Sequence, residues 1–456
     1  METFENVLDN VRTGSRPSEL KITDLRVMDI VGAPMHCTIV KIYTNQGITG
    51  FGEVRDGGSR NFVLALKSRI LGENPCDIDR LFRRIKQFGG NARQGGGVCA
   101  VEMALWDIAG KAYGVPVYQM LGGRFRDKVR VYADTDVEGK HDGKAMGEAL
   151  KKRMEKGFTF LKMDCGTDLL FDEPGALSAP LGFVDQLKES AEGYNAIPRN
   201  LSKEDWTQRN RWYDVQNIPH PFTGVQITEH GLDALEQYVK DVRDTIGYEV
   251  PLAIDHIGHV ETGSCIRLAK RLEKYNIAWM EDMVPWQYTQ EYVKMANATT
   301  IPICTGEDIY LKENFLPLLQ SHGVSVIHPD ILTVGGILEL KKVSDLAGEY
   351  GVAMAIHMAE TPISAMAAAH VATACENFLA QEFHSVDVPW WNDMVAKGVK
   401  APIVDHGYIH VPDLPGLGIE ELNEDVLREH IHPDYPDVFA DSSAWDHDYS
   451  HDRCWS

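Results

Sequence analysis

The sequence has no CxxC pair, no run of about 18 apolar residues and fewer basic than acidic side chains. Each absence excludes something. The eight cysteines (Cys37, Cys76, Cys99, Cys165, Cys265, Cys304, Cys375 and Cys454) stand singly, which argues against a zinc knot or a disulfide framework and reads as reduced thiols. The most apolar stretch, Val352 to Ala374, is broken by His357, Glu360 and His370, so no membrane span is expected. The opening "METFENVLDN" carries acidic residues and no hydrophobic core, so it does not read as a signal peptide, and the expected compartment is the cytoplasm. With 67 acidic residues against 45 basic ones the formal net charge is -22. Such a field repels nucleic acid and anionic membranes, so neither is an expected partner.

At 456 residues the chain is too long for one compact core. The first part is mixed. "HCTIVKIYT" and "GITGFGEVR" flank the turn signal "NQG" and predict a hairpin. In "VEMALWDIAGKAYGVP", Val101, Leu105, Ile108 and Ala112 recur at helical spacing, and Gly114 and Pro116 supply the stop. Residues 1–127 therefore read as an N-terminal α+β domain.

A different pattern begins near residue 128. Eight short runs follow, "VRVYAD", "TFLKMD", "VPLAID", "IAWME", "IPICTGE", "VSVIHPD", "VAMAIH" and "FLAQE", most of them separated by helix-like stretches. Strands alternating with helices imply parallel βαβ units, and eight of them imply a closed (β/α)8-type barrel. Asp255, Glu281, Glu307, Asp330, His357 and Glu382 sit at or near the ends of successive runs, separated by 26, 26, 23, 27 and 25 residues. The 93 residues from Lys162 to Asp255 break this rhythm, so an insertion at about 166–230 follows the second strand, as a lid or an oligomer contact.

Adjacent parallel strands lie about 4.8 Å apart, so Asp255, Glu281 and Glu307 converge at one end of the barrel. One strand-end carboxylate is ordinarily a salt-bridge or capping residue. Three at equal spacing need protonation, basic partners or a cation, and an all-oxygen cage favours Mg2+, with Mn2+ fitting equally. Lys162 and Asp164 are two apart and face the same way. Asp330 beside His357 would fix the imidazole tautomer and raise its basicity, as a general base needs, and Glu382 reaches the same mouth.

These residues resemble the enolase superfamily, in its mandelate racemase-like branch of acid-sugar dehydratases. "VEMALWDIAGKAYGVPVYQMLGG" is similar to the signature that leads from the cap into the barrel. "AID", "WMED" and "CTGED" resemble the three metal-ligand strand ends, and "HPDILTVGG" with "AIHMAETP" resembles the Asp–His dyad. "VPDLPGLGIEELN" is similar to the segment that folds back onto the cap. The resemblance implies a barrel of (β/α)7β type over residues 128–410, with residues 411–456 returning to a capping domain. It also implies a Mg2+-dependent hydro-lyase that removes the proton α to a carboxylate, forms a metal-stabilised enediolate, and expels the β-hydroxyl to give a 2-keto-3-deoxy acid. The family commonly forms symmetric assemblies, which implies a homo-oligomer.

Two departures matter. The racemase pattern Lys-x-Lys is here Lys162-x-Asp164, whose negative charge should raise the pKa of Lys162 and leave His357 as the base. His357 would then also return a proton to the departing hydroxyl. Asp255-x-Ile257 replaces Asp-x-Asn and Asp-x-His; His256 should point away from the interior, and His259 is a candidate substrate contact. Cap loops carrying His36, Gly57, Ser59 and Arg60 should lie over the site, and His36, Arg60 and Glu360 are further substrate-binding candidates. The tail after His432, with His447 and His451 among aspartates, reads as a polar arm. The alternatives are a racemase or epimerase on the same scaffold, which needs two opposed bases, and a barrel that binds a ligand without catalysis.

Overall fold

The computed structural model describes residues 15–135, 142–196, 214–215, 217–218, 220–255, 258 and 260–448. The "NQG" turn joins two strands of an antiparallel sheet made of β1 (Ile22–Ile30), β2 (Cys37–Thr44) and β3 (Thr49–Val54). Tyr43 lies opposite Thr49 across the turn. Helix α1 (Gly96–Tyr113) packs on β3. A Cβ on Gly52 would stand 1.9 Å from the Ala100 carbonyl oxygen, so only glycine permits this approach. The helix is buried around nearly its whole circumference, as an apolar helix covered on both sides must be.

The eight runs read from the sequence are the eight strands of a parallel barrel. They are β4 (Val129–Ala133), β5 (Leu161–Asp164), β6 (Leu252–Asp255), β7 (Ile277–Glu281), β8 (Ile303–Thr305), β9 (Val326–Ile327), β10 (Ala353–Ile356) and β11 (Phe378–Phe383). Pairing of β11 with β4, with Glu382 opposite Tyr132, closes the circle. Seven helices fill the connections: α2 (Gly143–Glu155), α3 (Glu229–Ile246), α4 (Thr262–Leu272), α5 (Thr289–Ala298), α6 (Lys312–Gln320), α7 (Ile337–Glu349) and α8 (Pro362–Ala374). Within the long connection between β5 and β6, residues 177–178 pair antiparallel with 226–227, and Phe183–Ala196 is helical.

Tyr132, Phe160, Ala253, Trp279, Cys304, Val326, Ala355 and Ala380, one at each strand position, form a separate apolar cluster plugging the barrel interior. Strand side chains alternate in direction, so whatever stands two residues further along each strand also faces inward, one layer higher. That layer reads Asp134, Lys162, Asp255, Glu281, Gly306, His328, His357 and Glu382. An apolar floor thus carries a polar ring.

Three carboxylates on the sheet and on α1 fasten the cap to the barrel and to the C-terminal segment. Glu102 accepts hydrogen bonds from Ile337 N (2.7 Å) and Leu338 N (3.0 Å) at the start of α7, and from Trp106 Nε1 (2.7 Å). Glu53 accepts from Thr361 N (3.2 Å), Thr361 Oγ1 (2.7 Å) and Ser364 N (3.3 Å) at the start of α8. Helix starts leave N–H groups without internal partners and carry partial positive charge, which suits an acidic acceptor. Asp107 accepts from Phe51 N (3.0 Å) and from Leu417 N (2.9 Å). Burial nevertheless pushes the Glu53 carboxyl up to about 7 and the Glu102 carboxyl up to about 8.

As far as residue 448 the tail is docked rather than a solvated polar arm. Ile431 bridges Ile30, and Phe439 and Ser442 are buried. The buried ammonium of Lys67 explains why: Nζ lies 2.6 Å from Asp24, 2.7 Å from Asp446 and 2.8 Å from Ser442 Oγ, so two of its three partners come from the tail. His451 lies outside the described residues.

Candidate active site

Lys162 is buried, and its Nζ stands 2.8 Å from Asp255 Oδ2, 3.2 Å from Glu281 Oε1 and 2.8 Å from Glu382 Oε1. Burial alone would lower its pKa, but the charges of Asp255, Glu281 and Glu382 outweigh it and hold the pKa well above the ordinary lysine value. The contributing charges are Asp255, Glu281 and Glu382, whereas the charge of Asp164 is felt by Cys165 and Tyr238. Glu281 is also gripped from below and beside: Trp279 Nε1 donates to Oε2 at 2.8 Å, and His328 Nδ1 lies 2.6 Å from Oε1. The other nitrogen of His328 is 2.6 Å from the Tyr132 hydroxyl, linking ring to floor.

Across the mouth, His357 Nδ1 lies 2.6 Å from Asp330 Oδ2, as the sequence predicts for a dyad. Its Nε2 faces the carboxylates, 3.3 Å from Glu307 Oε2 and 3.9 Å from Glu382 Oε2. Burial pulls the imidazole pKa down, but Glu307 and the Asp330 hydrogen bond raise it well above the usual histidine value. The cap contributes Arg55, just past β3, whose buried guanidinium lies 2.9 Å from Glu307 Oε1 and 2.8 Å from Asp308 Oδ1 and donates to Thr333 Oγ1 at 2.6 Å. Glu307 is thereby fixed between a cap arginine and a barrel histidine. Their charges overcome burial and keep its carboxyl well below the ordinary range.

Two close donor sets overlap at Glu281. Asp255, Glu281 and Asp282 form one, and Glu281, Glu307 and His328 the other, with donor atoms in each set within 4.8 Å of one another. Asp255 and Glu307 thus each lie close to Glu281, in different sets, and Asp282 accompanies Asp255. Asp282 has φ 44° immediately after β7, a left-handed conformation that turns the chain at the strand end. A third close set, His357, Glu382 and His384, carries two imidazoles.

The other sequence candidates are distributed as follows. His36 Nε2 and Arg60 Nη1 both approach the buried Asp29, at 3.1 Å and 3.0 Å, and Arg60 also lies over the Tyr435 ring. The His36 ring lies 4.6 Å from that of His432. The two cap candidates thus meet each other and the returning tail. Glu360 is fully buried, accepting from Ala359 N at 2.9 Å and Asp56 N at 3.5 Å, with its carboxyl held well above the usual range by burial and then by Asp330, Asp56 and Glu53. His256, Ile257 and His259 lie outside the described residues.

Sequence reasoning missed Arg55, Tyr132, Asp134, Asp282, His328 and His384. Four of them carried a readable signal. Tyr132 and Asp134, His328 and Asp330, and Glu382 and His384 are two apart on a strand or at its end, the same spacing that singled out Lys162 and Asp164. Arg55 had no such signal, because its place depends on how the cap seats on the barrel.

Residues 28–122 match the Mandelate racemase / muconate lactonizing enzyme, N-terminal domain, and residues 145–426 match the Enolase C-terminal domain-like family. The chain belongs to the mandelate racemase/muconate lactonizing enzyme family. Members of this family with similar sequences include the D-xylonate dehydratase of Haloferax volcanii, 32% identical over 430 residues that cover 93% of this chain and 92% of that one. The D-galactonate dehydratase of Ralstonia pickettii is 28% identical, covering 88% and 92%. Both names denote hydro-lyases. Among solved structures, a mandelate racemase/muconate lactonizing enzyme-like protein from Rubrobacter xylanophilus superposes with a TM-score of 0.74 at 28% identity, covering 92% of this chain and 99% of that one. A member of the enolase superfamily from Salmonella Typhimurium gives 0.71 at 26% identity, covering 90% and 98%. The family is enzymatic, and no helix among the described residues is long and apolar enough to cross a membrane.

Proposed function

We propose that this chain is a Mg2+-dependent dehydratase of a sugar acid that removes the proton α to the carboxylate and eliminates the β-hydroxyl, giving a 2-keto-3-deoxy acid. The observation that carries the reading is an asymmetry. One imidazole, His357, is anchored by a carboxylate and turned toward the acidic cluster, whereas Lys162 is locked between three carboxylates. A locked ammonium is a poor base, so the second, opposed base of a racemase or epimerase has no support on this side. Aldonates are favoured over aldarates because the relatives named above act on D-xylonate and D-galactonate.

The donor chemistry fits a hard dication. Asp282 is driven well above the ordinary carboxyl range by burial and then by the charges of Glu307, Glu281 and Asp255, which marks a cluster with more negative charge than its own cations offset. Asp255, Glu281 and Glu307, with Asp282 alongside, would hold Mg2+ or equally Mn2+. The ion when bound supplies positive charge against the dianion that forms when an α-proton leaves a carboxylate. His357 Nε2 takes that proton while Asp330 holds Nδ1. Glu382 and Lys162 fix the ring around the substrate carboxylate, and His36 and Arg60, paired with Asp29 in the cap, are the candidates for contacts to its distal end.

The test is to incubate a library of aldonates and aldarates with the enzyme and Mg2+, trapping 2-keto acids with semicarbazide. Keto-acid formation that stops on chelation is expected. Deuterium exchange at the α-carbon without any keto product would favour the racemase, and neither reaction with any acid would favour a non-catalytic barrel.

A further inference from the structure

The ring contains a second aspartate–histidine pair that the reading above does not use. Asp134 ends the run of β4, and His384 follows β11, the strand that closes the barrel against β4. His384 Nδ1 lies 3.2 Å from Asp134 Oδ2, and Nε2 lies 3.4 Å from Glu382 Oε1. The arrangement repeats that of Asp330 and His357, whose Nε2 lies 3.9 Å from the other oxygen of the same Glu382. The two imidazole rings are 5.9 Å apart. Two carboxylate-held histidines therefore flank one glutamate, each with Nε2 turned toward it.

The pairs differ in access. The Asp134 and His384 side chains are each 17% exposed, against 0% for Asp330 and 9% for His357. The exposed part of His384 is not Nε2, which is itself buried beside Glu382 Oε1 at 3.4 Å. The outer pair is thus the more exposed of the two, on the side where a more distal substrate atom would lie, with Nε2 held against Glu382 until a substrate takes that place. A dehydration moves two protons, one off the α-carbon and one onto the oxygen leaving the adjacent carbon, and two separately held groups can divide that work where the two atoms lie apart. A single histidine would have to release to the hydroxyl the proton it had just taken. Burial pulls the His384 pKa down, but Asp134 and Glu382 outweigh it and leave the imidazole above its ordinary value, favouring the protonated form.

We propose that His384, oriented by Asp134, is the acid that protonates the departing β-hydroxyl while His357 takes the α-proton. The proposal rests on the dehydratase reading and replaces the two-task role expected for His357. In the first step the Cα–H bond breaks, its proton goes to His357 Nε2, and its electron pair forms the enediolate. In the second, that pair restores the carboxylate and moves into a double bond between Cα and Cβ. The Cβ–O bond breaks with its electrons on oxygen, which takes the proton from His384 Nε2 and leaves as water. The enol that remains tautomerises to the 2-keto-3-deoxy acid, and His384 regains its proton from solvent.

The experiment compares wild type, His384→Asn and Asp134→Asn, all loaded with Mg2+, on three readouts: keto-acid formation from the best aldonate, α-proton exchange in D2O, and fluoride release from the 3-deoxy-3-fluoro analogue. Fluoride departs without a proton. His384→Asn should lower dehydration by about a hundredfold or more while fluoride release stays within a few-fold of wild type and α-exchange persists. Asp134→Asn should shift the same readouts in the same direction by less. Equal loss of dehydration, exchange and fluoride release, as from a misfolded or first-step-deficient variant, overturns the assignment if Asp134→Asn shows it too. Undiminished dehydration by His384→Asn overturns the assignment alone. A wild type that exchanges the α-proton but forms no keto acid from any sugar acid overturns the dehydratase reading itself, and His384 with it.

Discussion

Replacing Lys162 by methionine keeps most of the side-chain volume while deleting the charge that Asp255, Glu281 and Glu382 share within 3.2 Å. Removing one partner from a buried ion cluster costs about 3–5 kcal/mol, because the remaining charges stay desolvated. In the metal-chelated protein that penalty should appear in full. Mg2+ stabilises both proteins, and with the competing ammonium gone the variant's carboxylates should bind it more tightly, closing the gap by about 1.4 kcal/mol for each tenfold gain in affinity. The prediction is therefore a gap in stability between wild type and Lys162→Met that is large in EDTA and narrows in saturating Mg2+. Urea unfolding followed by circular dichroism in the two buffers measures it. Equal stability of the two proteins in EDTA, or a gap that Mg2+ leaves unchanged, would refute the view that the ammonium and the metal serve the same carboxylates.

Three further outcomes are expected. Asp330→Asn, which unbalances the carboxylate beside His357 Nδ1, should lower dehydration by about 10²–10⁴-fold in steady-state assays while calorimetric Mg2+ affinity changes little. Glu53, held at about 7 against a usual 4.5, stabilises fully below pH 4.5 and loses about 3 kcal/mol as pH rises through 7, since the unfolded chain ionises first. The stability difference between wild type and Glu53→Gln, from urea titrations at pH 4.5 and 8, should shift by that amount; a flat difference would contradict it. Gly336→Ala places a Cβ 2.1 Å from Glu102 Oε2 at a φ of 91°, and should cost about 3 kcal/mol or more in thermal or urea unfolding.

The barrel was legible because parallel strands announce themselves as short apolar runs at a regular interval, and all eight were found. Asp255, Glu281, Glu307, Asp330, His357 and Glu382 were legible for the same reason: a charged group ending an apolar run stands out. Asp134 ended one of the quoted runs, yet its partner His384 lies at the other end of the barrel sequence, and only closure of β11 on β4 makes them neighbours. His328 was hidden inside "VIHPD", where Asp330 drew the attention although both belong to one strand end. Arg55, Glu53 and Glu102 were out of reach because their partners, Glu307, Thr361 and Ile337, are set by docking between domains, which leaves no periodic mark in either segment. The tail misled for a related reason: its acidic residues look solvated until Lys67, nearly 400 positions earlier, is seen to need one of them.

Glu53 and Glu102 anchor the cap at two separate helix starts, and Asp107 adds a third tie to the chain that returns after the barrel. A lid bolted at that many points cannot swing as one body without stripping several backbone amides of their acceptors together. On the dehydratase reading, entry and exit of substrate would then fall to the short segments between these ties, and turnover would respond to stiffening of those segments far more than to any hinge between the two halves of the molecule.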